Sequence, residues 1–151
     1  MDGWVVSTSW VKDILIETLL KEGIPFVLIG RSTASSVTSV NNDNVQAAFQ
    51  ATEHLLQQRY RSIAFLSGPQ NLTVSLDRLR GYRQAMFEAG LPIDEKRITE
   101  ADFSEEGGFR ALVRMRKAGI FFDAGVPCAL PSMKHWRFRM NWASSDLTIR
   151  R

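Results

Sequence analysis

Up to Asp123 the chain alternates short apolar runs with longer amphipathic stretches, and past that residue the alternation stops. Strands of this length joined by helical patterns specify a parallel sheet with crossover helices. Trp4-Val5-Val6 reads as the first strand, and Ile14 to Lys21, with Ile16, Leu19 and Leu20 on one face, as a helix that Gly23 ends. Phe26 to Ile29 is a continuous apolar run, the pattern of a strand covered on both faces. After a Ser/Thr-rich connector, with a short strand expected within Val37 to Val40, the next helix opens near Asp43 and Asn44. Its Val45, Ala48, Phe49, Thr52, Leu55 and Leu56 form one stripe at helical spacing.

Ile63 to Leu66 is the partner strand and ends in the turn Ser67-Gly68-Pro69. Ser75 is read as the N-cap of a further helix, with Asp77 in its first turn and Leu79, Tyr82, Met86 and Ala89 along one side. Ile98 to Ala101 reads as a weaker strand. Ser104 with Glu105 and Glu106 opens a last helix, Gly119 closes it, and Ile120 to Ala124 looks like the entry to another strand. From Gly125 to Arg151 no helical or strand period is sustained.

Charge follows the same division. The whole chain has a formal net charge of +3, but residues 1–124 carry 14 Lys/Arg against 15 Asp/Glu, and residues 125–151 carry 5 against 1. The basicity therefore belongs to the tail. Lys134, His135, Trp136, Arg137, Phe138 and Arg139 interleave cations with aromatics, a pattern that tracks phosphates and stacks on bases. The competing reading, a segment never selected for structure, is preferred. The single cysteine, Cys128, excludes an internal disulfide and a Cys-rich metal motif. No apolar run approaches the ~20 residues of a membrane span, and acidic Asp2 stands where a signal peptide is basic. A cytoplasmic location without membrane association is expected.

Catalytic signatures are missing from the sequence. It contains no GxxxxGK[ST], no GxGxxG after a strand and no GxSxG. His54 sits beside Leu55 and Leu56 on a helix, and adjacent Glu105 and Glu106 point apart, which suits helix capping better than paired-carboxylate chemistry. Neither an enzyme nor a cofactor is expected. What remains is binding chemistry at the carboxyl ends of the strands. There Gly30-Arg31 follows one strand, the turn from Gly68 to Thr73 leads to Arg78, and Asp102-Phe103 follows another. The planar guanidinium of Arg78 suits vicinal hydroxyls or a carboxylate, and Phe103 suits an apolar sugar face. A surface role for Arg78, a core role for Phe103 and a solvated loop charge for Arg31 are the competing readings.

Four segments in series carry a resemblance: GIPFVLIGR from Gly23, SVNNDNVQAAFQATEHLLQQRYRSIAFLSGP from Ser39, RLRGYRQAMFEAGLP from Arg78 and ADFSEEGGFRAL from Ala101. In order and spacing they resemble the effector-binding domain of LacI/GalR-type transcription regulators, which is similar to periplasmic sugar-binding proteins. The resemblance implies an α/β, periplasmic-binding-protein-like type I fold with parallel sheets and flanking helices, here an incomplete two-lobed domain. Residues 1–40 would end the N-terminal lobe, 41–124 would begin the C-terminal lobe, and 125–151 would be an aberrant basic tail. It further implies a small-molecule effector, a sugar, bound near Arg78, Phe103, Thr73, Val74, Arg31 and Asp43. Asp43 serves equally as a helix cap. Gly30 replaces the acidic residue many members carry, which removes any contact made through it.

The resemblance implies a homodimer for full-length members, and operator DNA bound through an N-terminal helix-turn-helix that this sequence lacks. Two incomplete lobes are expected not to close a cleft, and the chain is expected not to function or stay in solution alone. Ser132 to Trp142 can be encoded by DNA whose neighbouring frame reads a family-like acidic loop and helix, so a frameshift is the expected source of the tail. The alternatives are a fragment of a periplasmic sugar-binding protein and a small α/β enzyme.

Overall fold

In a computed structural model of the protein, the described residues are 2–7, 10–34 and 36–128, together with the backbone of 137–141 and 146–150. The basic and aromatic segment from Lys134 to Trp136, and Trp142, lie outside them. Two three-stranded parallel sheets are built from separate stretches of chain. The first holds β1 (Trp4–Val6), β2 (Phe26–Ile29) and β3 (Ser39–Val40) in that order. The second has β4 (Ile63–Ser67) between β5 (Ile98–Glu100) and β6 (Ala124–Pro127). Among the described residues four α-helices accompany them: α1 (Ile14–Lys21), α2 (Asn44–Gln57), α3 (Thr73–Glu88) and α4 (Glu105–Lys117).

Capping explains where three helices begin. Asp13 accepts from Leu15 N and Ile16 N, Asp43 from Gln46 N, and Ser104 from Gly107 N, each satisfying first-turn donors that the helix cannot pair itself. Helix α3 departs from the sequence reading. It begins at Thr73 with Leu72 as N-cap and no side-chain cap bond, so Ser75 lies inside the first turn, fully buried. Asp77 consequently sits in the second turn.

Strand β4 is buried along its whole length because helices cover both its faces. On one side Ile63 and Phe65 meet Tyr82 and Met86 of α3. On the other, Ala64 and Leu66 meet Ala111, Leu112 and Met115 of α4, with Phe122. The Phe65 and Tyr82 rings stack at 5.0 Å, and the Tyr82 hydroxyl donates to Ile63 O at 2.9 Å. Burial, the largest influence, pushes the Tyr82 pKa up from 10.0 to about 12. Because the folded value is raised, this contribution to stability is whole below pH 10 and lost as pH rises through about 12. We expect urea midpoints to fall across that window, and Tyr82→Phe to flatten the fall; an unchanged slope would contradict the assignment.

The first sheet is covered on one face only. Val6 and Leu28 are buried against Ile16 and Leu19 of α1. Register places Val5 beside Val27, and Ile29 beside Val40, on the opposite face. These four are 70%, 38%, 53% and 66% exposed. The apolar run of β2 therefore reads as doubly covered in sequence but is singly covered in the fold.

The alternation also continues past Asp123. Ala124 to Pro127 pairs in parallel with Ile63 to Leu66, making β6 an edge strand of the second sheet. Gly125 and Pro127 hide it from a strand-propensity reading, and an edge is where a sheet tolerates proline. Asp123 leads it in by accepting from Arg61 N at 2.9 Å and Ser62 N at 3.0 Å. Further on, the backbones of β7 (Arg137–Asn141) and β8 (Asp146–Arg150) pair antiparallel, where no strand period is evident in the residues.

Candidate functional site

The parallel strands direct their carboxyl ends to the positions where open α/β sheets place ligands. Gly30 and Arg31 follow β2, Gly68 follows β4, Asp102 and Phe103 follow β5, and Cys128 follows β6. The first half of α3 runs among these ends and links most of the residues singled out from the sequence.

Arg78 is 9% exposed, so it is no surface arginine. Its Nε donates to Asn44 Oδ1 at 2.9 Å and its Nη1 to the carbonyl of Cys128. Both acceptors are neutral, and among the described residues no carboxylate forms an ion pair with it. A buried cation held only by neutral oxygens is costly unless an anionic or strongly polar group completes its shell. Asn44 is itself placed by its own amide, which donates to Asn41 Oδ1 at 3.3 Å and Asn42 O at 3.2 Å. Asp43 serves as the cap of α2 through Gln46 N at 2.9 Å.

Arg31 is committed differently. Its Nε and Nη2 grip the two oxygens of Asp77 at 2.8 Å and 2.7 Å, and its carbonyl accepts from Thr73 Oγ1 at 3.0 Å. The hydrogen bond to Asp77 raises the Arg31 pKa further, despite partial burial. Thr73 is buried and Val74 half-buried at the start of α3. Phe103, 40% exposed, lies over the β4–α3 turn and is not a core aromatic. A Cβ on Gly68 would stand 2.5 Å from Phe103 Cζ and 2.7 Å from Ser75 Oγ, so the ring and the hydroxyl occupy the space a side chain would need. That Ser75 hydroxyl is buried without a hydrogen-bond partner.

The fold thus gathers two clusters along α3, Arg31 with Thr73 and Asp77, and Arg78 with Asn44 and Cys128, with Phe103 over Gly68 and Ser75. Sequence reasoning noted Asn44 only alongside Asp43 at the start of α2, and read Asp77 and Ser75 as helix-start residues rather than as members. A small cavity of about 220 Å³ is lined by Pro69, Glu100, Asp102, Gly107, Arg110 and Arg114. Asp102 there has its pKa lowered, chiefly by hydrogen bonds from Ser104 and also by Arg110. Among the described residues no cluster of three His, Cys, Asp or Glu side chains is placed to hold a metal ion, and no helix is long and apolar enough to cross a membrane.

Residues 1–134 match the family model for periplasmic binding proteins and the sugar binding domain of the LacI family, and the chain belongs to that family. It is 38% identical over 125 residues to the HTH-type transcriptional regulator MalR of Streptococcus pneumoniae, covering 82% of this chain and 38% of that protein. The crystal structure of a putative LacI transcriptional regulator from Bacillus cereus subsp. cytotoxis superposes with a TM-score of 0.79 at 31% identity, over 83% of this chain and 45% of that one. A CelR–cellobiose complex superposes at 0.78 with 30% identity, over 86% of this chain and 43% of that one. The chain thus spans less than half the length of these relatives. They are transcriptional regulators and not enzymes.

Proposed function

We propose that this chain is a portion of a sugar-responsive regulator of the LacI kind, carrying part of its effector-binding and dimerisation unit. Arg78 carries the reading: a buried guanidinium with neutral partners and an Nη2 that makes no hydrogen bond among the described residues suits the hydroxyls of a sugar. Phe103 offers an apolar ring over the Gly68 turn, and Thr73, Val74, Arg31 and Asp43 are the further residues assigned to the effector site in this reading. In this reading residues 1–40 belong to the first lobe and 41–124 open the second, which β6 extends to Pro127. The remainder of 125–151 is the basic tail of frameshift origin. Operator DNA is bound through a helix-turn-helix outside this sequence, the complete protein is a cytoplasmic homodimer, and the effector is a sugar.

The half-covered first sheet supports an incomplete unit, since a parallel sheet is ordinarily buried on both faces. The isolated chain is then expected to give no saturable heat on calorimetric titration with cellobiose and a panel of other mono- and disaccharides. Saturable heat that vanishes in Arg78→Ala would show a complete site and refute the fragmentary part of the proposal.

A further inference from the structure

The two sheets are built around separate apolar clusters, and no cluster among the described residues spans both. Hydrogen bonds and an ion pair cross between them. Trp10 and Leu72 form an antiparallel bridge, Val11 N donates to Asn71 O at 2.8 Å, and Thr73 Oγ1 donates to Arg31 O at 3.0 Å. The charged member of this seam is the two-pronged pair between Arg31 and Asp77, at 2.8 Å and 2.7 Å across 46 residues of sequence.

Several features make that pair more than a surface ion pair. Gly30, at φ 134, turns the chain out of β2 so that Arg31 faces α3, a conformation other residues rarely adopt. The Asp77 side chain is only 11% exposed, against 45% for Arg31. Removing Arg31 therefore strands a nearly buried carboxylate, whereas parting the units returns it to water. Between the two sheets the chain passes through Asn41, Asn42 and Asp43, a short connection about which the units can separate.

We propose that Asp77 positions Arg31 and that their paired charges hold the two units closed against one another, so that breaking the pair opens them about residues 41–43. The inference concerns closure and stands whether or not a sugar binds.

Single-molecule energy transfer tests it on the full chain at picomolar concentration, where self-association cannot intrude. Dyes are placed at Lys21→Cys and Glu88→Cys, both exposed, in a Cys128→Ala background. At low salt one high-transfer population is expected. Arg31→Gln and Asp77→Asn should each raise the open-to-closed ratio roughly tenfold, and the exchanged pair Arg31→Asp with Asp77→Arg should restore the parent histogram. Salt at about 1 M should open the parent while leaving Arg31→Gln unmoved. Single variants that superimpose on the parent, or an exchange that restores nothing, would overturn the proposal. A second dye pair within one unit, Gln50→Cys with Glu88→Cys, must keep its transfer throughout; a fall there means unfolding and overturns it equally.

Discussion

Gly81→Ala is expected to destabilise the chain by about 3 kcal/mol or more, beyond the usual cost of one added methyl group. The glycine lies where α3 crosses α2. A Cβ there would overlap the carbonyl oxygen of Val45 and stand 2.9 Å from Phe49 N and 3.0 Å from Val45 C. All three atoms are backbone, so no rotamer change relieves the overlap; the helices must separate, and Tyr82, the next residue, must leave its place against Phe65 and Ile63. With total stabilities of ~5–15 kcal/mol, such a loss removes a large share of the folded state. Urea denaturation reads it directly as a lowered midpoint, and a midpoint within about 0.5 kcal/mol of the parent would show that α2 and α3 are not pressed together as described.

The same glycine shows how unevenly the sequence discloses the molecule. Helices α2 and α4 are legible because capping residues and a 3.6-residue stripe coincide: Asp43 precedes Ala48 and Thr52, both buried, and Ser104 precedes Ala111, Leu112 and Met115. Local rules mislead where two signals compete. Ser75 resembles an N-cap, but the turn after β4 starts the helix three residues earlier, with Leu72 as N-cap, and carries the hydroxyl inward. Strand β6 is disguised by Gly125 and Pro127, and only its pairing with β4 reveals it.

The candidate site divides in the same way. Arg31, Arg78 and Phe103 are recognisable because they follow strand ends, where topology puts ligands, whereas Thr73, Val74 and Asp43 enter only through the family resemblance. The partners of Arg31 and Arg78 are not recognisable. Nothing near Arg31 announces Asp77, and nothing near Arg78 announces the Cys128 carbonyl, 50 residues away. These are tertiary contacts without a periodic signal.

A second large effect is expected at the bare face of the first sheet. Val5, Val27, Ile29 and Val40 form an exposed apolar surface on parallel strands, and such surfaces recruit a cover. In the proposed complete regulator another part of the polypeptide supplies it. In the isolated chain another molecule must, so the chain should self-associate and bind hydrophobic dyes strongly. Replacing Val5, Val27, Ile29 and Val40 together by Thr keeps side chains suited to strands while making the face polar. Dye binding should then fall several-fold, with the second sheet, its core intact, still unfolding in urea as before.

Sedimentation velocity of the unaltered chain tests this account most directly. Assemblies larger than the 17.1 kDa monomer are expected across the micromolar range, collapsing to monomer in the four-threonine variant. A 17.1 kDa monomer that stays single at every concentration and melts in one cooperative transition would contradict it, since the apolar face of Val5, Val27, Ile29 and Val40 would then need no cover.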